Sequence, residues 1–270
     1  MNNFSKRLVF GILYVILIVL ATTTNHFIFY GLFFAFMLFS VYEFLKMIKL
    51  NSYLPYFISV TLFFSIILKH ENFFLLGNIL SALGLLLVFS SFIIVLFNKN
   101  KNAIEYLGKI TLTLLYTVLP FLLLIKLPFL GNGFNPQLIL GIFILTWSSD
   151  TFAYLVGRQF GKHKLFERIS PKKTIEGFAG GVFFTLISAY IISIYFTSTP
   201  LLEWLIIAVI ISVFGVLGDL IESMFKRQAQ IKDSSQLIPG HGGFLDRLDS
   251  IIFATPFIYG FIFLTEQFNL

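Results

Sequence analysis

Apolar residues fall into nine long runs along this chain of 270 residues, centred on 8–23, 27–45, 54–68, 74–97, 107–125, 136–157, 177–197, 201–224 and 250–265. A helix needs about 20 mostly apolar residues to cross a bilayer, so each run predicts a transmembrane helix, the third being the shortest. The polar breaks before residue 110 read as simple connectors. Two breaks after Asp150, over 158–176 and 223–249, are longer and carry clustered charge. No internal repeat, low-complexity tract or soluble domain interrupts the pattern. It predicts a single integral membrane domain over 1–270, with N-terminal spans in 1–130 and the spans and loops of chemical interest in 136–265.

Composition agrees with the pattern. The chain is 57% hydrophobic and 12% charged, whereas a soluble domain is roughly a quarter charged. The expected fold class is therefore an all-α polytopic membrane protein with about nine transmembrane helices. Charge then orients it. With the N-terminus cytoplasmic, 17 of the 19 Lys and Arg residues fall on inner segments, and Lys69 and Lys126 on outer ones. Cytoplasmic loops concentrate basic residues, so the N-terminus is expected inside and the C-terminus outside. The segments 158–176 and 223–249 then face the cytoplasm. Lys6 and Arg7 ahead of the first run resemble a secretory signal, but Ala21-Thr22-Thr23-Thr24 is a poor cleavage site and an uncleaved span is expected. The net charge of +6 follows from topology and gives no reason to expect nucleic-acid binding. With no cysteine, disulfides, thiolate metal sites and cysteine nucleophiles are excluded.

The polar exceptions inside this apolar chain carry the candidate chemistry. Asp150 lies inside the sixth run, and Asp219 and Glu222 inside the eighth. A carboxylate in hydrocarbon costs about 3 kcal/mol on insertion scales and needs an interior partner. Asp219 and Glu222 are three residues apart and share a helix face, as do Asp246 and Asp249. Bringing the two pairs together would build an oxygen-lined site for a divalent cation such as Mg2+. The alternative is that each acid pairs with a nearby Lys or Arg. Around them, 223–249 also holds Lys226, Arg227, Lys232 and Arg247, cations suited to phosphate, and Asp233, read as a solvated loop acid. The turn Pro239-Gly240-His241-Gly242-Gly243 lets backbone approach a ligand closely. His241 either contacts phosphate, moves a proton or is structural.

The loop 158–176 holds six basic and two acidic residues. For Lys162, Lys164 and Arg168, topology with attraction to lipid headgroups and a functional role are equally good readings. Ser170-Pro171-Lys172-Lys173 is more specific: the proline stiffens a turn, and the residues after it are expected to open a helix whose N-terminus, with two lysines, binds phosphate. The chain has no Walker A sequence, no paired zinc-type histidines and no Gly-x-Ser-x-Gly elbow. ATP-driven transport, zinc hydrolysis and serine acyl transfer are thereby disfavoured.

Three stretches together resemble one family. They are Asp150-x-x-Ala153-Tyr154-x-x-Gly157-Arg158-x-Phe160-Gly161, Ser170-Pro171-Lys172-Lys173-Thr174-x-Glu176-Gly177, and Ser223-x-Phe225-Lys226-Arg227 leading through Lys232-Asp233 to Pro239-Gly240-His241-Gly242-Gly243-x-x-Asp246-Arg247-x-Asp249. This pattern, over roughly 145–255, resembles the CDP-diacylglycerol synthase (phosphatidate cytidylyltransferase) family. Phe152 and Ile175 depart from it without removing an acid, a cation or a glycine.

The resemblance implies transfer of CMP from CTP to phosphatidic acid, giving CDP-diacylglycerol and pyrophosphate for phospholipid synthesis. It implies Mg2+ with a second cation, a homodimer, and a multi-pass enzyme of the cell (inner) membrane whose active site faces the cytoplasm. Carried over, Asp219 and Asp246 would hold Mg2+, supported by Asp249 and Glu222, with Asp150 either behind these ligands or at a second cation. Lys226 and Arg227 would be catalytic. Ser170, Pro171, Lys172, Lys173, Lys232, Gly240, His241, Gly242, Gly243 and Arg247 would bind substrates. Two other readings are a CTP-dependent lipid-alcohol kinase of the polyprenol or phytol type, and an ion-coupled transporter.

Overall fold

The computed structural model describes residues 3–97, 102–131, 133–238 and 242–268. Nine helical rods run through these residues, one for each apolar run: α1 (Asn3–Thr24), α2 (His26–Met47), α3 (Leu54–His70), α4 (Phe74–Phe97), α5 (Ala103–Phe129), α6 (Pro136–Phe160), α7 (Ile175–Tyr195), α8 (Leu201–Gln228) and α9 (Leu245–Phe268). Seven are long and apolar enough to cross a membrane; Val9–Thr24 of α1 and Leu54–His70 are shorter apolar helices. The chain is thus a predominantly helical, multi-pass membrane protein.

Local chemistry sets the rod ends. The side chains of Asn25, Asn102, Asn135 and Thr174 each accept a hydrogen bond from the first turn that follows, satisfying donors a helix leaves free. Pro55 and Pro136 sit at helix starts, where a missing N–H costs nothing. Within α5 and α8 the backbone passes through a π-helical turn, at Leu114–Val118 and Ile211–Gly215. Such a turn inserts a residue and re-aims the side chains after it. The turn in α8 immediately precedes Asp219.

One segment departs from the all-helical expectation. Strands β1 (Lys164–Phe166) and β2 (Ser170–Thr174) form an antiparallel hairpin, with Lys164 opposite Thr174 and Phe166 opposite Ser170. Lys172 and Lys173 therefore do not open a helix, as Ser170-Pro171 suggested. They lie on a strand, and α7 starts after them at Ile175, capped by the Thr174 hydroxyl. The reason is a nonlocal partner: β1 and the backbone of His163 take up the polar groups of this segment. Glu176 then clasps the hairpin, accepting from the Lys162 and His163 amides at 3.0 and 3.2 Å and meeting His163 Nδ1 at 2.6 Å.

A continuous core runs from Ile18 to Ile262 and includes fully buried Phe29, Phe33, Phe121, Phe143 and Trp204. Helix α4, in contrast, exposes Leu85, Leu86, Phe89, Phe92 and Leu96, a surface suited to lipid. Helices α6 and α7 meet across small residues. A Cβ on Gly177 would stand 2.6 Å from the Ala153 carbonyl and 2.9 Å from Gly157 Cα. Both are backbone atoms that cannot turn aside. Gly177→Ala is therefore expected to destabilise the protein by about 1–3 kcal/mol, in the range of overpacking. Thermal unfolding in detergent measures this, and an unchanged midpoint would contradict the close approach. Phe152, where the family pattern is not followed, stacks on Phe184 at 4.3 Å and 14° between this same helix pair.

Candidate active site

Three helices and the hairpin bring their charged residues to one end of the bundle. Helix α6 supplies Asp150, α8 supplies Asp219, Glu222 and Lys226, α9 supplies Asp246 and Asp249, and β2 supplies Lys172 and Lys173. Two lysines hold three of the acids. Lys173 Nζ lies 2.6 Å from Asp219 Oδ2, and Ser223 Oγ donates to Asp219 Oδ1 at 3.2 Å. Lys226 Nζ bridges Glu222 Oε2 at 2.5 Å and Asp246 Oδ1 at 2.6 Å. Glu222 on α8 and Asp246 on α9 thus come close together. What joins them in this structure is an ammonium group.

Asp246 is the most heavily engaged of these acids, chiefly through one oxygen. Its Oδ2 accepts from the Ser234 amide at 2.9 Å, the Ser234 hydroxyl at 3.0 Å and the Gly243 amide at 2.8 Å. Gly242 has φ +85°, and a Cβ there would stand 2.6 Å from Asp246 Oδ2, so the turn requires glycine on both counts. Asp249 is less engaged: its Oδ1 accepts from the Ser250 amide at 2.7 Å, and it lies within electrostatic reach of Asp219 and Asp150. The Oε1 of Glu222 is buried without a hydrogen-bond partner. The acids thus gather near one another, one with an orphaned oxygen. Among the described residues no three acids or histidines close on a single point as a metal-binding group; two lysines stand among them.

A cavity of about 610 Å³ opens beside these groups. Asp150, Asp219, Arg158, Lys164, Lys172 and Lys173 supply its polar wall, and Tyr154, Leu165, Phe178 and Val216 an apolar one. A lining that mixes charged and apolar residues suits an amphiphile with a phosphate head. Lys164, for which topology and function were equally good readings, pairs with Thr174 and lines this cavity. A second cavity, of about 570 Å³, is lined by Lys46, Lys49, Lys232, Asp233, Ser234 and Gln236.

The remaining candidates are more dispersed. Pro171 lines the first cavity, Ser170 opens β2, and Lys232 lines the second cavity. Arg227 and Arg247 are exposed, Arg247 within electrostatic reach of Asp150. Gly240 and His241 lie outside the described residues. Two groups from the N-terminal spans were not anticipated. Lys46 and Lys49 join the second cavity, and Glu43, fully buried on α2, accepts four hydrogen bonds from 234–245. The break after α2 is therefore more than a connector. Its signal was available: Glu43 is an acid inside an apolar run, as are Asp150 and Asp219.

The fold and the site define a class: a multi-pass helical membrane protein with a carboxylate and lysine site beside an amphiphilic cavity. The family model described as "Cytidylyltransferase family" matches residues 5–265, and the chain belongs to that family. It is 34% identical to the phosphatidate cytidylyltransferase of Bacillus subtilis over 264 residues, covering 96% of this chain and 97% of that protein. A protein of the same name from Staphylococcus saprophyticus is 38% identical over 212 residues, 69% of this chain and 79% of that one. Another from Staphylococcus aureus is 50% identical over 122 residues, 44% of this chain and 46% of that one.

Proposed function

We propose that this protein is a phosphatidate cytidylyltransferase, transferring CMP from CTP to phosphatidic acid and releasing pyrophosphate. Family membership over 5–265 carries the reading, and the charged and apolar walls of the cavity support it. A phosphate oxygen of phosphatidate attacks the α-phosphorus of CTP in line. The bond from the α-phosphorus to its bridging oxygen breaks, and pyrophosphate leaves with that oxygen. Positioning and charge stabilisation suffice for such a transfer, so no covalent residue is required.

In this reading Lys172, Lys173, Lys226 and Arg227 offset phosphate charge, and Ser170, Pro171, Lys232, Arg247 and the 240–243 turn shape the substrate pockets. These acids supply the oxygen donors that Mg2+ takes, and in this reading Asp219 and Asp246 would hold it with Asp249 and Glu222 in support, Asp150 standing behind them or at a second cation. When bound, Mg2+ offsets triphosphate charge and aligns its oxygens. The apolar wall admits the diacyl chains from the bilayer. Residues 1–270 act as one membrane domain, with the spans of 136–265 carrying catalysis, and the protein works as a homodimer in the cell membrane.

The site faces the cytoplasm, where CTP is, if the nine rods all cross with the N-terminus inside. A reporter fused after Leu270 is then expected to score outside, and one fused within 226–240 inside. Reversed signals at both positions would overturn this orientation.

The lysines give a second expectation. Lys172 and Lys173 both line the first cavity, and a charge-assisted contact contributes about 1.5–3 kcal/mol. Lys172→Ala or Lys173→Ala should lower kcat/KM by about tenfold or more. Lys162→Ala should have a much smaller effect, because its backbone amide makes the contact with Glu176. Equal losses at all three, at fixed lipid composition, would show that overall loop charge is what matters.

The reading itself is tested with purified protein in mixed micelles containing phosphatidate and each nucleoside triphosphate in turn, with products identified by mass. CDP-diacylglycerol is expected with CTP. Unaltered phosphatidate with every nucleotide would refute it.

A further inference from the structure

Glu43 belongs to none of the motifs that mark the site, yet it is among the most constrained polar groups in the molecule. It is fully buried, near the end of α2 and about 190 residues from its partners. Its Oε1 accepts from the Ser235 hydroxyl at 2.5 Å and the Phe244 amide at 3.0 Å. Its Oε2 accepts from the Ser234 hydroxyl at 2.9 Å and the Leu245 amide at 2.8 Å. A carboxylate offers about four acceptor positions; here three receive their own donors and the fourth faces the Ser234 hydroxyl, whose one proton is shared with Asp246.

These contacts grip the segment that carries Asp246. Phe244 and Leu245 stand at the start of α9, so Glu43 satisfies amides that the helix itself leaves free, and its charge lies at the favourable end of the helix dipole. Ser234 links the two acids directly, since its hydroxyl is within hydrogen-bond distance of both Glu43 Oε2 and Asp246 Oδ2. Gly243 leaves room for the arrangement: a Cβ there would collide with the Ser234 hydroxyl and the Glu43 carboxylate. Aromatic packing completes the grip. Phe244 stacks on Phe39 of α2 at 4.6 Å and 9°, and meets Phe36 at 5.5 Å.

We infer that Glu43 is a positioning residue for the reaction: by holding Ser234, Ser235, Phe244 and Leu245 it fixes Asp246 and Asp249 against Asp219 and Lys226. It touches none of the candidate substrate-binding lysines and acts through the loop. The inference rests on the cytidylyl-transfer reading for its kinetic consequence, although the geometry stands without it.

Glu43→Gln is a sharp probe. Each carboxylate oxygen receives one hydroxyl and one backbone N–H. A hydroxyl can turn and accept from the new amide group, but a backbone N–H cannot, so either orientation of Gln sets an –NH2 against an N–H. Losses of ten- to a hundredfold are typical when a group orienting a site's ligands is removed.

The experiment compares Glu43→Gln, Glu43→Asp, Ser234→Ala and the Glu43→Gln/Ser234→Ala double variant, each as folded full-length protein in phosphatidate micelles. Expected are a kcat at least about tenfold lower for Glu43→Gln, partial rescue by Asp, and a double variant no worse than its poorer parent, as for residues acting through one link. Amide exchange over 234–238 and 242–245 should quicken in Glu43→Gln. A folded Glu43→Gln with kcat within about twofold of the parent, or losses that multiply in the double variant, would overturn the inference. If Glu43→Gln does not fold, Ser234→Ala decides alone, and a kcat within about twofold overturns it. If the unmodified protein transfers no CMP, the reading of function fails instead. Exchange then judges Glu43, and unchanged protection in the variant would sink its role.

Discussion

Asp246→Asn is expected to lower turnover by at least about a hundredfold, the scale seen when a preorganised charged group is lost from an active site. Two features of its surroundings make the loss large. One oxygen faces the Lys226 ammonium at 2.6 Å, and the other receives the Ser234 amide, the Ser234 hydroxyl and the Gly243 amide. Either orientation of Asn sets its –NH2 against a group that can only donate, the ammonium on one side or two backbone amides on the other. The negative charge that would help to hold Mg2+ is removed at the same time. Steady-state rates on folded, inserted protein measure this. Near-normal turnover would mean that Asp246 is a structural cap and that the chemistry lies elsewhere.

Lys226→Met should act on stability first. The side chains of Glu222, Asp246 and Lys226 are 0%, 9% and 12% exposed, so the lysine offsets two acids that water scarcely reaches. Met keeps much of the stem and removes the charge. Breaking a buried pair by deleting one partner costs about 3–5 kcal/mol, because the other charge is left uncompensated. A clearly lower thermal midpoint in detergent is expected, with little activity in the fraction that folds. If Lys226→Met unfolds like the parent, the acids do not depend on this lysine, and the bridge in the structure contributes nothing.

Much of this architecture was legible in the sequence because the bilayer imposes a crude rule. Backbone polar groups in hydrocarbon must be satisfied internally, so long apolar runs become helices, and all nine runs did. The acids at 150, 219 and 222 stood out by the same rule, as charges where none belongs without a partner. Other features depend on contacts that periodicity does not encode. Lys172 and Lys173 lie on a strand because residues 163–166, which local sequence did not mark as a strand, pair with them. The π turn at Ile211–Gly215 leaves no mark in an apolar run. Glu43 is the instructive case. Its position inside an apolar run announced a buried acid, but its partners lie about 190 residues downstream in a loop with no periodicity of its own. The i, i+3 spacings of Asp219 with Glu222 and of Asp246 with Asp249 suggested two acid pairs that could share a site. That Lys226 would occupy its centre became visible only when the i, i+4 contact along α8 and the contact to α9 appeared together.

The position of a label in CTP tests the central claim most directly. With phosphatidate in micelles and CTP labelled at the α-phosphorus, cytidylyl transfer places the label in the lipid product; with CTP labelled at the γ-phosphorus, the label leaves as pyrophosphate. Both results should vanish together in Asp246→Asn. A γ-label recovered in lipid would identify a kinase and contradict the account, as would undiminished transfer of the α-label by the Asp246 variant.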